Sequence, residues 1–206
     1  MLAAQRRAPE RAFYFCNATT IDQHGARTFS FPDQVKTWIQ PSAPKGLELK
    51  GDEGLAALLR GCFIMCPTIC YQKSKIVGFE FNESRKQVLD LEFYSRLLFA
   101  GMTLAGVPDT CYLYRRHEDN QTSRLTLDLT RFDEEIKLYR QISRDAAELG
   151  WKKSVLVAKQ QTMIKLNLMY CIVSDIGKGQ LRSSWQKLKF LAKMQLSPLK
   201  SDRKEH

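Results

Sequence analysis

The sequence predicts an α/β fold with a mixed sheet that gives way to a C-terminal helical extension. Residues 1–124 alternate apolar runs of strand length with helix-length segments and turn signals. From Leu125 onward the apolar residues instead recur at intervals of three and four over long stretches, the mark of one buried helical face. The change falls around the all-polar segment 118–123. The chain therefore divides into an α/β part, 1–124, and a basic three-helix part, 125–206.

Taken in order, residues 1–8 read as the end of a helix broken around Pro9, since proline inside a helix loses a hydrogen bond and clashes with the preceding turn. Ala12-Phe13-Tyr14-Phe15-Cys16 is long enough for one buried strand, and Ile21-Asp22-Gln23-His24-Gly25 supplies a turn. A meander through Phe29, Phe31 and Pro32 leads into a short helix over 33–39, and Pro41, Pro44 and Gly46 form a loop. Asp52 is placed to cap a helix over 53–59, because its carboxylate accepts backbone N–H bonds and suits the positive end of the helix dipole. Residues 68–71 make a second strand candidate, and Ser74 caps a single helical turn ending near Gly78. A firmer helix starts at Asp90, runs through Phe93, Leu97 and Leu98, and stops at Gly101. Residues 103–107 and 110–114 read as two short strands separated by the turn Pro108-Asp109.

In the helical part, Leu125, Leu129, Phe132, Ile136, Tyr139 and Ile142 share one face of a long helix ending at Gly150. A second helix covers about 151–176. Gly177 and Gly179 separate it from a third, with Leu181, Trp185, Leu188 and Leu191 on one side and lysines around it.

Composition narrows the class. The chain of 206 residues is 44% hydrophobic and 26% charged, sufficient for a real core and unlike a disordered chain. It has no run of about 18 uninterrupted apolar residues, and residues 1–11 lack the apolar segment of a signal peptide. A soluble, cytoplasmic protein is expected. The six cysteines, Cys16, Cys62, Cys66, Cys70, Cys111 and Cys171, sit mostly in apolar runs and are expected to be buried free thiols. Cys62, Cys66 and Cys70 would line one helical face as metal ligands, but Pro67 interrupts that helix and no fourth ligand is adjacent. The net charge of +10 is concentrated late. Lys178, Arg182, Lys187, Lys189, Lys193, Lys200, Arg203 and Lys204 face only Asp202 and Glu205 there, a pattern that favours an anionic membrane, nucleic acid or an acidic partner.

The run Asp90-Leu91-Glu92-Phe93-Tyr94, with Arg96, Leu97 and Gly101, followed by Tyr114-Arg115-Arg116-His117, resembles family 2 glycosyltransferases of the GT-A fold. Upstream pieces occur in the same order: a strand like 12–16, a turn like Ile21-Asp22-x-x-Gly25, a strand like 68–71, and Gly78-Phe79-Glu80-Phe81 ahead of the helix. The resemblance covers roughly residues 1–123 and rests on shared order and spacing. It implies an inverting transfer of a sugar from a nucleotide-sugar donor to a saccharide or lipid-linked acceptor hydroxyl. Asp90 corresponds to the general base, a role suited to a carboxylate fixed at the mouth of a helix. Arg115 and His117 correspond to groups beside the donor diphosphate, with His117 also a ligand of the divalent metal, Mg or Mn. Residues 118–123 correspond to a lid that orders over donor. Glu92, two positions from Asp90, points to another helix face.

The family holds its cation with two aspartates one residue apart, and no Asp-x-Asp occurs in this sequence. Residues 1–8 match the helix that would follow that signature. The resemblance thus implies an acceptor-side half of an incomplete GT-A domain, inactive alone, with an exposed sheet edge that invites self-association. From another class comes the alternative of a basic helical module, 125–206, binding an anionic membrane or nucleic acid, with Trp185 and Phe190 among its lysines. Nucleic acid is disfavoured, because no recognised motif is present.

Overall fold

A computed structural model describes residues 10–28, 31–115 and 129–196. Residues 1–8, Phe29, Arg116, His117, 118–123 and Leu125, together with Lys200, Asp202, Arg203, Lys204 and Glu205, lie outside the described residues. The chain is mixed α/β: a four-stranded sheet with helices, continued by four further helices.

The strands are β1 (Phe13–Ile21), β2 (Leu47–Leu49), β3 (Ile69–Tyr71) and β4 (Leu104–Arg115), in the spatial order β2-β4-β1-β3. β1 runs parallel to β4 and antiparallel to β3, and β2 closes the other side antiparallel to β4. α1 (Phe31–Ile39), α2 (Gly51–Leu59) and α3 (Leu89–Phe99) lie among these strands. β1 extends five residues beyond the expected end at Cys16, because Asn17 to Ile21, although more polar, pair along β4. The three-residue β2 falls in what reads as loop and owes its place to the β4 edge it pairs with.

Residues 104–115 form one strand where two were expected. Pro108 has no N–H to give the ladder, so β4 bulges there instead of turning. Phe15 pairs with Gly106, Asn17 already pairs with Thr110, and pairing resumes to Ile21 opposite Arg115. The Asn17 side chain spans the bulge by donating to the Pro108 carbonyl at 2.7 Å. Gly106 is required beside it: a β-carbon there would stand 2.6 Å from the Phe15 ring.

The helical part comprises α4 (Thr130–Glu148), α5 (Lys152–Gln160), α6 (Thr162–Gly177) and α7 (Leu181–Leu196). The single helix expected over 151–176 is divided at Gln161, whose φ of +51° is left-handed. One hydrophobic core joins both parts, from Phe13 and Phe15 through Leu58 and Leu98 to Phe132, Ile142 and Leu168. Polar ties reinforce the junction. The Tyr139 hydroxyl donates to the Leu59 carbonyl at 2.8 Å, satisfying an acceptor at the end of α2. Asp52 does not cap its own helix, which starts at Gly51 after Lys50 without a side-chain cap. Its carboxylate instead accepts the N–H groups of Lys153 at 2.9 Å and Ser154 at 2.7 Å, capping α5 from 101 and 102 residues away.

Burial of the cysteines is also less uniform than their apolar neighbours suggest. Cys16 is buried, Cys62, Cys70 and Cys171 are half-buried, and Cys66 and Cys111 are exposed. Cys62, Cys66 and Cys70 occupy a coil, a 3-10 turn (Cys66–Thr68) and β3, so they share no helix face.

Candidate active site

Asp90 sits in the first turn of α3, after Val88 at the helix cap. The helix forms because Leu91, Tyr94, Leu97 and Leu98 bury one face, and it ends where Gly101 takes φ +77°. Its entry is fixed from the helical part. The Glu134 carboxylate on α4 accepts the N–H of Gln87 at 2.9 Å and that of Lys86 at 3.1 Å, anchoring the chain just before Asp90. The Arg85 guanidinium adds a bond to Gln141 at 3.0 Å.

Behind Asp90 lies an aromatic cluster built from three elements. Phe13 of β1 meets Tyr94 of α3 at 5.1 Å and Tyr71 of β3 at 5.5 Å between ring centroids. Phe81 stacks on Phe93 at 4.4 Å, so the Gly78–Phe81 stretch and the helix that follows it are packed together. Arg96 completes that contact. It lies over the Phe93 ring, donates to the Glu80 carbonyl, and pairs with buried Glu92 at 2.8 Å. Glu92 is thereby engaged as a structural ion pair and turned away from Asp90's role, consistent with its different helix face.

Asp90 is half-buried, and its carboxylate acts electrostatically on the thiol of Cys66. Although Cys66 is exposed as a residue, partial burial of its sulfur, then the negative charge of Asp90, pushes that thiol up to about 11. The Tyr71 and Tyr94 hydroxyls are also raised, first by burial, with Asp90 contributing to both. Both hydroxyl oxygens are buried, and neither has a partner at hydrogen-bond geometry. Asp90, Cys66, Tyr71 and Tyr94 thus form one electrostatically linked group. Of the four, only Asp90 receives a role from the sequence; Cys66 is weighed for one only as a metal ligand, Tyr94 is named only within the Asp90 run, and Tyr71 is linked to neither, because it reads locally as an ordinary strand residue.

Arg115 has a structural engagement. At the end of β4 its Nη1 donates to the Asp22 and Gln23 carbonyls, both at 2.8 Å, and so braces the turn that leaves β1. Within that turn the Asp22 carboxylate accepts from the N–H of His24 at 2.8 Å and of Ala26 at 2.9 Å. Because His117 lies outside the described residues, its relation to Asp90 and Arg115 does too.

A cavity of about 570 Å³ opens along the β1–β4 bulge. Asn17, Arg27, Gln40 and Thr110 give it polar walls, while Phe15, Phe63 and Met65 give it an apolar floor. Gln40 donates to Asn17 at 3.1 Å, extending the chain of bonds that begins at Pro108. Asp90 is not among its lining residues, but Met65 is, and Cys66 follows directly.

The divalent cation implied by the resemblance needs a cluster of hard oxygen ligands. Around Asp90 stand a thiol and two phenols, and Glu92 is taken by Arg96. Among the described residues no group of three or more His, Cys, Asp or Glu side chains could hold a metal. The described residues therefore do not fit that cation. No helix among them is long and apolar enough to cross a membrane. No protein-family model and no curated protein matches the chain.

Proposed function

We propose that the chain supplies the acceptor side of an inverting, family 2-like glycosyltransferase of the GT-A type, transferring sugar from a nucleotide-sugar to a saccharide or lipid-linked hydroxyl. The observation that carries the reading is the placement of Asp90. A carboxylate in the first turn of α3 is held by the stack of Phe81 on Phe93 below it and by the Glu134 clasp ahead of it. That is the kind of fixed, partly desolvated carboxylate that general-base catalysis requires.

In the proposed step, Asp90 takes the proton of the acceptor hydroxyl as its oxygen bonds to the anomeric carbon, and the bond from that carbon to the donor diphosphate breaks. A nucleotide-binding unit carrying an Asp-x-Asp signature completes the donor side. Arg115 braces the turn after β1, and with His117 it is assigned to the approach of the diphosphate. Activity is expected only when that nucleotide-binding unit accompanies this chain.

The test uses the protein joined to its nucleotide-binding unit and a panel of radiolabelled nucleotide-sugars. Asp90→Asn should lower turnover by about a hundredfold or more, in the range for loss of a general base, while donor affinity by calorimetry stays within about twofold. Turnover within a factor of about two of wild type would remove Asp90 from the chemistry.

A further inference from the structure

Among the described residues, eight of the fifteen exposed large apolar side chains belong to the α6–α7 hairpin, a feature independent of the Asp90 reading. Leu166, Met169, Val173 and Ile176 recur every three or four residues along the outer face of α6, with Val173 68% exposed. On α7, Leu181, Trp185 and Leu188 repeat the spacing, with Leu181 at 67% and Trp185 at 57%. α6 buries its opposite face through Ile164, Leu168 and Ile172, and α7 buries the strip beside its exposed row through Ser184 and Lys187. The exposed rows are therefore in excess of what holds the hairpin together.

Charge decides what fits this face. Between residues 162 and 196 the acidic side chains amount to Asp175 alone, and it is turned inward onto Lys187. Lys178, Arg182, Lys189 and Lys193 are exposed around the apolar rows. Lys189 lies over the Trp185 ring at 5.3 Å, so the basic row borders the apolar row directly. We propose that the α6–α7 hairpin docks flat on an anionic phospholipid surface, its apolar rows in the headgroup–acyl boundary and its cations on lipid phosphates. A second copy fits poorly, since pairing two such faces brings their basic rows together. A nucleic acid fits poorly too, because the rows are mainly aliphatic and offer little for bases to stack on.

The experiment is flotation of the full chain with vesicles of phosphatidylcholine alone or mixed with phosphatidylglycerol. The chain should float with the mixed vesicles, less so at high salt, and not with the neutral ones. Val173→Glu and Trp185→Glu, both at exposed positions and checked for unchanged helicity by circular dichroism, should each weaken flotation by roughly tenfold. Equal recovery with both vesicle types, or recovery with neither, overturns the proposal. So does a concentration-dependent dimer that Val173→Glu dissociates, which assigns the face to a second copy, or salt-sensitive oligonucleotide binding without flotation. Because flotation requires no sugar transfer, its outcome is separate from that of the Asp90 test.

Discussion

Removing the Asp175 carboxylate should cost the protein about 3–5 kcal/mol of stability, the range for a buried charge left without its partner. The Lys187 ammonium, at 2% exposure, is buried between α6 and α7 and donates to Asp175 at 2.6 Å and to Ser183 at 2.7 Å. Ser183 in turn donates to the same carboxylate oxygen at 2.6 Å. In Asp175→Ala the ammonium keeps only the serine hydroxyl. The assay is urea and thermal denaturation followed by circular dichroism. For a chain of this size Tm should fall by roughly 6–20 °C. Asp175→Ala combined with Lys187→Met should recover most of the loss, since no buried charge remains. A loss below about 1 kcal/mol in the single variant would place the pair among solvent-screened ones and refute the reasoning. The pH dependence has a definite sign. Burial opposes the charged carboxylate, but the bonds from Lys187 and Ser183 outweigh it and hold Asp175 below its ordinary 3.8. Its contribution is therefore complete above about pH 4 and is lost as pH falls through the lowered value. Asp175→Asn should abolish that part of the acid dependence.

Two further outcomes follow from side chains already described. Burial opposes charging of Asp52, yet the bonds from Ser154 and Lys153 prevail and lower its pKa, as expected of a cap. Asp52→Ala should cost about 1–2 kcal/mol by urea denaturation, with Asp52→Asn retaining most of the cap; an alanine variant as stable as wild type would disprove the capping across the junction. At Cys66, a rise from 9.0 to about 11 leaves very little thiolate at pH 8. Asp90→Asn should relieve the Asp90 share while leaving that of burial, speeding alkylation of Cys66 by iodoacetamide up to about tenfold, as read by peptide mass spectrometry. An unchanged rate would separate the two groups.

What the sequence revealed and what it concealed divide along physical lines. The α3 helix and the Gly101 stop were legible because apolar spacing and a left-handed glycine are local signals. The β4 bulge was half legible: Pro108 announced a break in pairing, but only the partner strand decides between a turn and a bulge. The break at Gln161 left no trace, since glutamine is an ordinary helix residue and its left-handed backbone is imposed by packing. Asp52 was correctly read as a cap and assigned to the wrong helix, because capping chemistry carries no address. The Glu134 clasp and the Tyr71–Tyr94 pair join residues 23 to 48 positions apart, beyond the reach of any periodicity.

The same long-range ties bear on how the two proposals would act together. Glu134 on α4 holds the entry to α3, Tyr139 on α4 bonds to the end of α2, and Asp52 on α2 caps α5. α6 and α7 pack onto this unit through the shared core. A hairpin lying on a bilayer would then hold Asp90 at a set height above the lipid, because no flexible linker intervenes among the described residues from 129 to 196. Such an arrangement favours an acceptor presented from the membrane over one arriving from solution, since two-dimensional confinement raises its local concentration at the carboxylate. The preference has a kinetic signature. In the complete enzyme, Trp185→Glu should raise KM for a lipid-linked acceptor in vesicles while leaving kcat and the KM for a short soluble acceptor unchanged. An equal change for both acceptors would mean that the hairpin acts on folding and not on delivery.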